Sequence, residues 1–238
     1  MSLTLVRLRP DLAALARWAR HAEVPLTPDD PGYALHVALR AVLGALAPQP
    51  WLLRSGAGGV ELLGYSAAAP EELQDAAGLP AADDLAGQAL RADGLEARAM
   101  PQTWRAGAQL SFETRVRPVG RCSEGGRELD FAVMRLAQLE AVDREAAYEA
   151  WLVREFSRSG AVELIGCHLT KFRRVRSARR TQGPQRTVAW IEGPDVLMRG
   201  ELRIADPEAV PAFLSRGLGR HRAFGFGCLL LAPRGVYR

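Results

Sequence analysis

The chain has 238 residues, of which 48% are hydrophobic and 24% are charged, with a formal net charge of +4. This composition is typical of a soluble globular protein, and the length suits one large domain or two small ones. No apolar run approaches the ~18 residues that a membrane span needs. The N-terminal MSLTLVRLRP lacks the apolar core of a signal peptide, so we expect a cytoplasmic protein with no membrane partner.

The charge is distributed unevenly between the two halves of the chain. Residues 1–150 carry 15 Arg against 20 Asp and Glu, a balance of −5, whereas residues 151–238 carry 16 Lys and Arg against 7 acids, a balance of +9. A polyanion would therefore bind chiefly to the C-terminal half, and nucleic acid is favoured over the alternative of a solvated basic face. The three cysteines (122, 167 and 228) show no CxxC pair or zinc spacing, and no carboxylate cluster suggests a metal site, so we expect no metal and no cofactor.

The first half predicts strands and helices separated by proline- and glycine-rich turns. A helix is expected at 32–46, with Asp30 as its N-cap and Pro31 at its first position. The stretch from 77 to 108 is rich in Ala, Gly and Asp, and its pattern favours neither a helix nor a strand. Strands are predicted at 3–8, 51–54, 60–65 and 110–119, and further helices at 12–22 and 70–77.

The second half follows a turn-rich stretch at 120–126. It predicts strands at 162–175, 187–193, 196–204 and 226–231, helices at 143–159 and 206–216, and a strand or helix at 130–137. Each half thus approximates the order β-α-β-β-α-β, which indicates an α+β protein with two tandem ferredoxin-like domains. We expect these domains at residues 1–120 and 127–238.

The segment GLGRHRAFGFG at 217–227 is the first candidate binding element. Glycine permits close backbone approach to a ligand, successive N–H groups can bind an anion, and basic side chains add charge for phosphate. The alternative is a glycine-rich turn that returns a helix to the sheet. The candidate RNA-binding residues of this loop are Gly217, Gly219, Arg220, His221, Arg222, Gly225 and Gly227.

The helix at 32–46 carries a second candidate site. Tyr33, His36 and Arg40 recur at i, i+3 and i+7, so a phenol, an imidazole and a guanidinium share one face. Imidazole exchanges protons near neutral pH, and Arg40 could hold a phosphate. On its own this stripe is more often the solvated face of an ordinary helix than a site.

The third candidate is the basic run KFRRVRSARR at 171–180. On an extended hairpin its alternate side chains would share faces suited to the phosphate walls of an RNA groove. A basic loop without fixed structure is the alternative. The six cations are Lys171, Arg173, Arg174, Arg176, Arg179 and Arg180.

Two C-terminal stretches carry a resemblance to a known family. GELRIADP at 200–207 and GLGRHRAFGFGCLLLAP at 217–233 resemble the strand, DP, helix and GxG…FGxGxLxLxP arrangement of the CasE family of CRISPR-associated endoribonucleases. Tyr33 and His36 stand where that family carries a catalytic pair, and the basic run resembles its RNA-groove-binding hairpin.

The resemblance implies two ferredoxin-like domains and cleavage of CRISPR repeat RNA at the base of its stem-loop. It implies metal-independent attack by the 2′-hydroxyl, giving a 2′,3′-cyclic phosphate and a 5′-hydroxyl. His36 would act as base or acid, Tyr33 would orient the 2′-hydroxyl, and Lys171 or a neighbouring Arg would stabilise the phosphorane. The enzyme would stay on the mature crRNA stem-loop and join other subunits of a surveillance complex. A catalytically inactive stem-loop-binding subunit and a general single-strand RNA binder remain the alternatives.

Overall fold

The computed structural model describes residues 3–27, 29–56, 59–79, 84–121, 128–136, 143–180 and 187–237. Two compact units share the chain. The first comprises residues 1–100, 175–192 and 223–225, and the second comprises residues 101–174, 193–222 and 226–238. Within the described residues, no helix is both long enough and apolar enough to span a bilayer.

The first unit contains a four-stranded antiparallel sheet with helices between its strands. Its elements are β1 (Thr4–Leu8), α1 (Leu12–His21), α2 (Gly32–Leu43), β2 (Trp51–Gly56), β3 (Gly59–Ser66), α3 (Pro70–Gly78), α4 (Asp84–Leu90) and β4 (Glu96–Ala99). The strands are ordered β2-β3-β1-β4, with Val6 of β1 paired to Gly64 of β3 and to Ala97 of β4. This order is that of a ferredoxin-like sheet, as predicted.

Helix α2 packs its apolar stripe into the core of this unit. Leu35, Ala38, Leu39 and Leu43 are buried there. The helix begins at Gly32, and its N-cap is Pro31 instead of the predicted Asp30, whose carboxylate still accepts a 3.2 Å hydrogen bond from the Gly32 N–H. It ends at Leu43, and residues 44–46, which were expected to continue it, form a short 3₁₀ turn. The stripe of Tyr33, His36 and Arg40 therefore lies away from the core, which is the first requirement for a site on this helix.

The second unit repeats the arrangement with longer strands. Its elements are β5 (Gln109–Val116), β6 (Val119–Arg121), β7 (Glu128–Asp130), α5 (Phe131–Leu136), α6 (Arg144–Ser157), β8 (Val162–Arg180), β9 (Val188–Ile204), α7 (Val210–Arg216) and β10 (Leu229–Pro233). The end of β8 at 175–180 and the start of β9 at 188–192 belong to the first unit. The sheet order is β10-β5-β9-β8, so the first strand again lies between the third and the fourth, and β6 pairs with β7 in a small separate ladder. Both units therefore have the ferredoxin-like order, which confirms the predicted fold class.

The strand predicted at 110–119 belongs to the second sheet, not to the first. It forms β5, which pairs with β9 and β10, while the first sheet is closed by β4 from the stretch that favoured no element. The four residues EARA show too little alternation of polar and apolar side chains to predict a strand. Their backbone pairing with β1, which the sequence does not reveal, makes them one. Most of the expected domain boundary at 120–127 lies outside the described residues.

The hairpin strands are longer and more continuous than predicted. Strand β8 extends through the whole basic run, and β9 passes without a break through Gly193 and Pro194, where the sequence predicted two strands. Proline removes a backbone donor and usually ends a strand. Here the Pro194 carbonyl accepts a 3.3 Å hydrogen bond from the Arg117 guanidinium, so a side chain supports the strand at this point.

Candidate active site and nucleic-acid interface

Tyr33 and His36 of α2 lie against the same aromatic ring. The Phe224 ring centroid is 5.9 Å from that of Tyr33 and 5.3 Å from that of His36, the latter in an edge-on arrangement at 82°. Edge-on aromatic contacts restrict ring orientation and are each worth about 1 kcal/mol. Phe224 thus fixes how the phenol and the imidazole face solvent. The sequence placed Phe224 in the glycine-rich motif but did not indicate this role.

Residues 223–225, which we call the Phe224 segment, belong to the first unit and are held there by two further contacts. The Trp51 indole N–H donates a 3.0 Å hydrogen bond to the Ala223 carbonyl. Gly32 lies so close that a Cβ at this position would be 2.3 Å from the Phe224 carbonyl oxygen. Ser177 of β8 donates a 2.5 Å hydrogen bond to the Asp30 carboxylate, which also accepts a hydrogen bond from the Gly32 N–H at the start of α2. Residues remote in sequence therefore position the start of the candidate catalytic helix.

The electrostatic setting of His36 favours its neutral form. Partial burial lowers the pKa of the imidazole below its ordinary value of 6.5, and the positive charge of Arg40 lowers it further. Both effects disfavour the imidazolium ion. At neutral pH His36 is therefore a neutral side chain that can accept a proton.

The basic run on β8 presents most of its cations to solvent. Lys171, Arg173, Arg174, Arg176 and Arg179 are exposed, while the Arg180 side chain lies outside the described residues. Val175, between these cations, is buried with Ser177 and Ala178. The run is thus a strand in which three residues are buried and the cations are exposed. The alternative of a basic loop without fixed structure is excluded for residues 171–180.

Arg173 differs from its neighbours because it belongs to an internal ion network. Its Nε donates a 2.7 Å hydrogen bond to Asp195, which also receives two hydrogen bonds from the buried Arg115. Burial opposes ionisation of Asp195, but the hydrogen bonds and charges of Arg115 and Arg173 outweigh it and lower the pKa of this carboxyl. Arg115 also lies 4.3 Å from the Phe226 ring centroid. Arg173 therefore supports the base of the hairpin as well as contributing charge.

Arg176 lies over an exposed aromatic ring that the sequence reading did not single out. Its guanidinium carbon is 4.9 Å from the ring centroid of Trp190, whose side chain is 45% exposed. Such cation–π pairs restrain a long flexible side chain. The sequence VAWIE at 188–192 has no polar–apolar alternation, so no sequence signal indicated this pair.

The glycine-rich loop is folded mainly by its own backbone. The amide of Leu218 donates to the Gly227 carbonyl at 2.8 Å, and the amide of Gly227 donates to the Arg115 carbonyl at 2.7 Å. Gly227 has φ of +78°, and a Cβ there would be 2.2 Å from the Leu218 carbonyl oxygen. The Gly217 amide caps α7, and the Gly219 amide donates to Glu155 at 3.3 Å. These four amides are used within the protein and do not contribute to phosphate binding.

The basic side chains of this loop have internal partners as well. His221 Nε2 is 2.7 Å from Glu128, and its imidazole is only 6% exposed. This hydrogen bond is the main cause of the lowered pKa of Glu128, to which the charges of His221 and Arg220 add. Arg222 donates to the Arg216 carbonyl. Arg220, 39% exposed, is therefore better placed than His221 to contact a ligand.

The proposed catalytic residues are distributed over both units. Tyr33, His36 and Arg40 belong to the first unit, and Lys171 belongs to the second, where its side chain is exposed on β8. Across the part of the chain that the structure describes, no three His, Cys, Asp or Glu side chains are grouped as a metal centre requires.

The fold and the site define a protein with two ferredoxin-like units, a basic hairpin and a Tyr/His pair on a helix. The family described as CRISPR associated protein matches residues 3–233. The chain therefore belongs to this family of CRISPR-associated proteins, which confirms the resemblance drawn from its C-terminal motif.

Solved structures with the same fold span nearly the whole chain. The CRISPR endoribonuclease Cse3 bound to a 19-nucleotide RNA is 23% identical, with a TM-score of 0.67 and coverage of 98% of this chain and 100% of that one. Cse3 of Thermus thermophilus, bound to an RNA representing a pre-cleavage complex, is 19% identical with a TM-score of 0.63 and the same coverage. A CRISPR RNA-guided surveillance complex contains a chain that is 18% identical, with a TM-score of 0.55 and coverage of 97% and 99%. At these identities the likeness establishes the fold. No curated protein matches the sequence significantly.

Proposed function

We propose that this protein is an endoribonuclease that cleaves CRISPR precursor RNA within the repeat and stays bound to the stem-loop of the mature crRNA. The observation that carries the proposal is the pair of Tyr33 and His36, both packed against Phe224 of the family's glycine-rich motif. The chain that carries this pair belongs to a CRISPR-associated family and has the same fold as an endoribonuclease that binds RNA.

The proposed reaction is a transesterification that uses no metal ion. The 2′-hydroxyl attacks the adjacent phosphorus, the new P–O2′ bond forms, and the P–O5′ bond breaks. The products are a 2′,3′-cyclic phosphate and a 5′-hydroxyl. The 2′-hydroxyl loses one proton to a base of the site, and the departing 5′-oxygen gains one proton from water.

His36 is proposed as the base. Its imidazole is neutral at physiological pH because burial and the Arg40 charge lower its pKa. A neutral imidazole can accept the proton of the 2′-hydroxyl, whereas donation to the 5′-oxygen would need the disfavoured imidazolium ion. Tyr33, on the same face of α2, would orient the 2′-hydroxyl through its phenol O–H.

Cationic side chains would stabilise the phosphorane, which carries one more negative charge than the substrate phosphodiester. Arg40 extends the Tyr33 and His36 stripe by one turn and is exposed, and Lys171 is exposed on β8. Preorganised cations aimed at developing charge are among the largest contributions to catalysis of this kind. We assign this role to Lys171, with Arg40 contacting the substrate phosphate.

Retention of the product follows from the basic surface of β8. The cations at 171, 174, 176 and 179 lie on an extended strand, which suits the phosphate walls of an RNA helix. A protein bound this firmly to the crRNA stem would enter a surveillance complex with its RNA. A chain of the same fold occurs in a CRISPR RNA-guided surveillance complex.

The test uses repeat RNA transcribed from the CRISPR array beside the coding sequence. In EDTA we expect cleavage at one position, and the 5′ fragment should end in a 2′,3′-cyclic phosphate. A matched RNA with 2′-deoxyribose at the nucleotide before the cut should bind with the same affinity and remain intact, because it lacks the nucleophile. Cleavage of the deoxy substrate, or loss of cleavage in EDTA, would refute the mechanism. Intact native RNA in a tight complex would favour a stem-loop-binding subunit without activity.

A further inference from the structure

A cleft of about 370 Å³ opens in the second unit beside the glycine-rich loop. We call it the α6 cleft, because α6 forms one wall, while α5, β6 and the loop at 219–220 form the others. Phe131, Met134 and Trp151 supply its apolar surface. Its charged lining residues are Arg121, Arg154, Arg158, Arg220 and Glu155.

Among the described residues that line the cleft, Glu155 is the one acid, and its charge is compensated within the protein. Glu155 is only 9% exposed and accepts hydrogen bonds from the Gly219 amide at 3.3 Å and from Arg158 at 2.6 Å. Arg154 adds a cation 3.9 Å from the same carboxylate. Glu155 therefore anchors the wall of the cleft and leaves its overall charge positive.

The arginines remain able to bind an anion. The Arg154 guanidinium lies 4.8 Å from the Phe131 ring centroid and is 44% exposed. A guanidinium over a ring face keeps its N–H donors in its own plane, away from the ring, where a phosphate can reach them. Arg220 is 39% exposed although its Nε is 3.3 Å from Glu128. Even when Glu128 is counted, cations exceed acids by two.

The volume of the cleft and the residues that line it indicate which kind of anion would bind there. A volume of this order is at the lower end for a small-molecule site, which suits a nucleotide and is far too small for a duplex. Arg220 of the glycine-rich loop lines the cleft, so an RNA strand bound to this loop would continue directly into the cleft. Guanidinium groups beside an aromatic surface are the features that bind phosphate and base in unpaired RNA.

We propose that the α6 cleft binds the phosphate of an unpaired nucleotide that flanks the repeat stem-loop. This proposal rests on the proposed function, because it assumes that repeat RNA is the bound polymer. It adds a site for single-stranded RNA to the predicted interface. The cleft would make the enzyme sensitive to RNA outside the hairpin.

The test compares two RNAs that contain 2′-deoxyribose at the cut and therefore cannot be cleaved. One is the bare repeat hairpin, and the other carries single-stranded extensions at both ends. The double variant R121Q/R154Q removes two cleft charges, and Arg105→Gln, an exposed arginine outside the cleft, is the matched control. We expect the double variant to lose about tenfold in affinity for the extended RNA alone, and its salt slope for that RNA to fall by about 0.7 per lost phosphate contact.

Three outcomes would overturn the proposal. They are an equal loss for both RNAs, no loss for either, and binding of AMP to the wild type that competes with neither RNA. The last would identify a site for a free nucleotide. Since these RNAs are not cut, failure of the proposed nuclease activity would appear separately, as intact native repeat RNA, with the affinity comparison still interpretable.

Discussion

Adding one methyl group at Gly32 tests whether the Phe224 segment positions the candidate site. The Cβ of Gly32→Ala would lie 2.3 Å from the Phe224 carbonyl oxygen and 3.1 Å from its carbonyl carbon, against an ordinary contact of at least 3.4 Å. Either α2 or the segment must therefore move by about 1.1 Å. The clash is with backbone, so no side-chain rotation can relieve it.

The expected cost follows from that displacement. Overpacking of this kind costs about 1–3 kcal/mol, which in a chain of this size lowers Tm by about 2–12 °C. A shift of about 1 Å in groups that align a reaction can reduce its rate about 100-fold. We therefore expect Gly32→Ala to reduce repeat cleavage far more than its modest loss of stability would explain at 25 °C.

The assay combines thermal unfolding with single-turnover cleavage of repeat RNA. Gly87→Ala is the matched control, because Gly87 lies within α4 and a Cβ there would meet nothing within 4 Å. Alanine is the better helix former, so the control should gain about 0.5–1 kcal/mol and cleave normally. If Gly32→Ala unfolded and cleaved like the wild type, the contact with Phe224 would not position the site.

Three further predictions concern single side chains. Arg40→Ala should raise the pKa of His36, so the acid limb of the cleavage profile should move to higher pH under saturating enzyme, whereas Arg40→Lys should leave it in place. Phe224→Ala should slow cleavage about tenfold or more while repeat affinity changes little, because the ring contacts Tyr33 and His36 and its loss frees both side chains. Asp195→Ala should destabilise the protein by about 3–5 kcal/mol in urea unfolding, because it leaves buried arginine charge unpaired.

Each of these predictions has a clear contradiction. An unchanged pH profile for Arg40→Ala would show that its charge does not act on the titrating group. Equal losses of cleavage and affinity for Phe224→Ala would indicate a role in binding. Because the pKa of Asp195 is lowered on folding, its contribution to the free energy of unfolding should be full above the ordinary carboxyl pKa. That contribution should disappear as the pH falls through the lowered value, and stability independent of acid in this range would contradict it.

The sequence predicted most elements whose residues alternate or recur with a clear period. Helix α2 is an example, because its apolar stripe repeats over three turns, although the helix ends at Leu43 and not at residue 46 as predicted. Strand β4 was missed because its four residues carry no strong pattern, and its pairing with β1 is fixed by the sheet. The assignment of residues 110–119 to the first sheet was wrong for a related reason, since a strand's pattern does not identify its partner.

The candidate site shows the same division between local and tertiary information. Helical spacing alone placed Tyr33 and His36 on one face. It could not indicate Phe224, which lies about 190 residues further along the chain, nor the partial burial that lowers the pKa of His36. Likewise, glycine content predicted a loop whose amides could bind phosphate, but four of these amides donate to acceptors within the protein.

Single-turnover cleavage of repeat RNA by His36→Ala in EDTA tests the central claim most directly. General acid–base catalysis contributes about 10²–10⁴-fold, so the rate should fall by that factor while repeat affinity stays within about twofold. His21→Ala removes an exposed imidazole from α1 and should cleave like the wild type. Wild-type cleavage by His36→Ala would contradict the assignment of the proton transfer to α2.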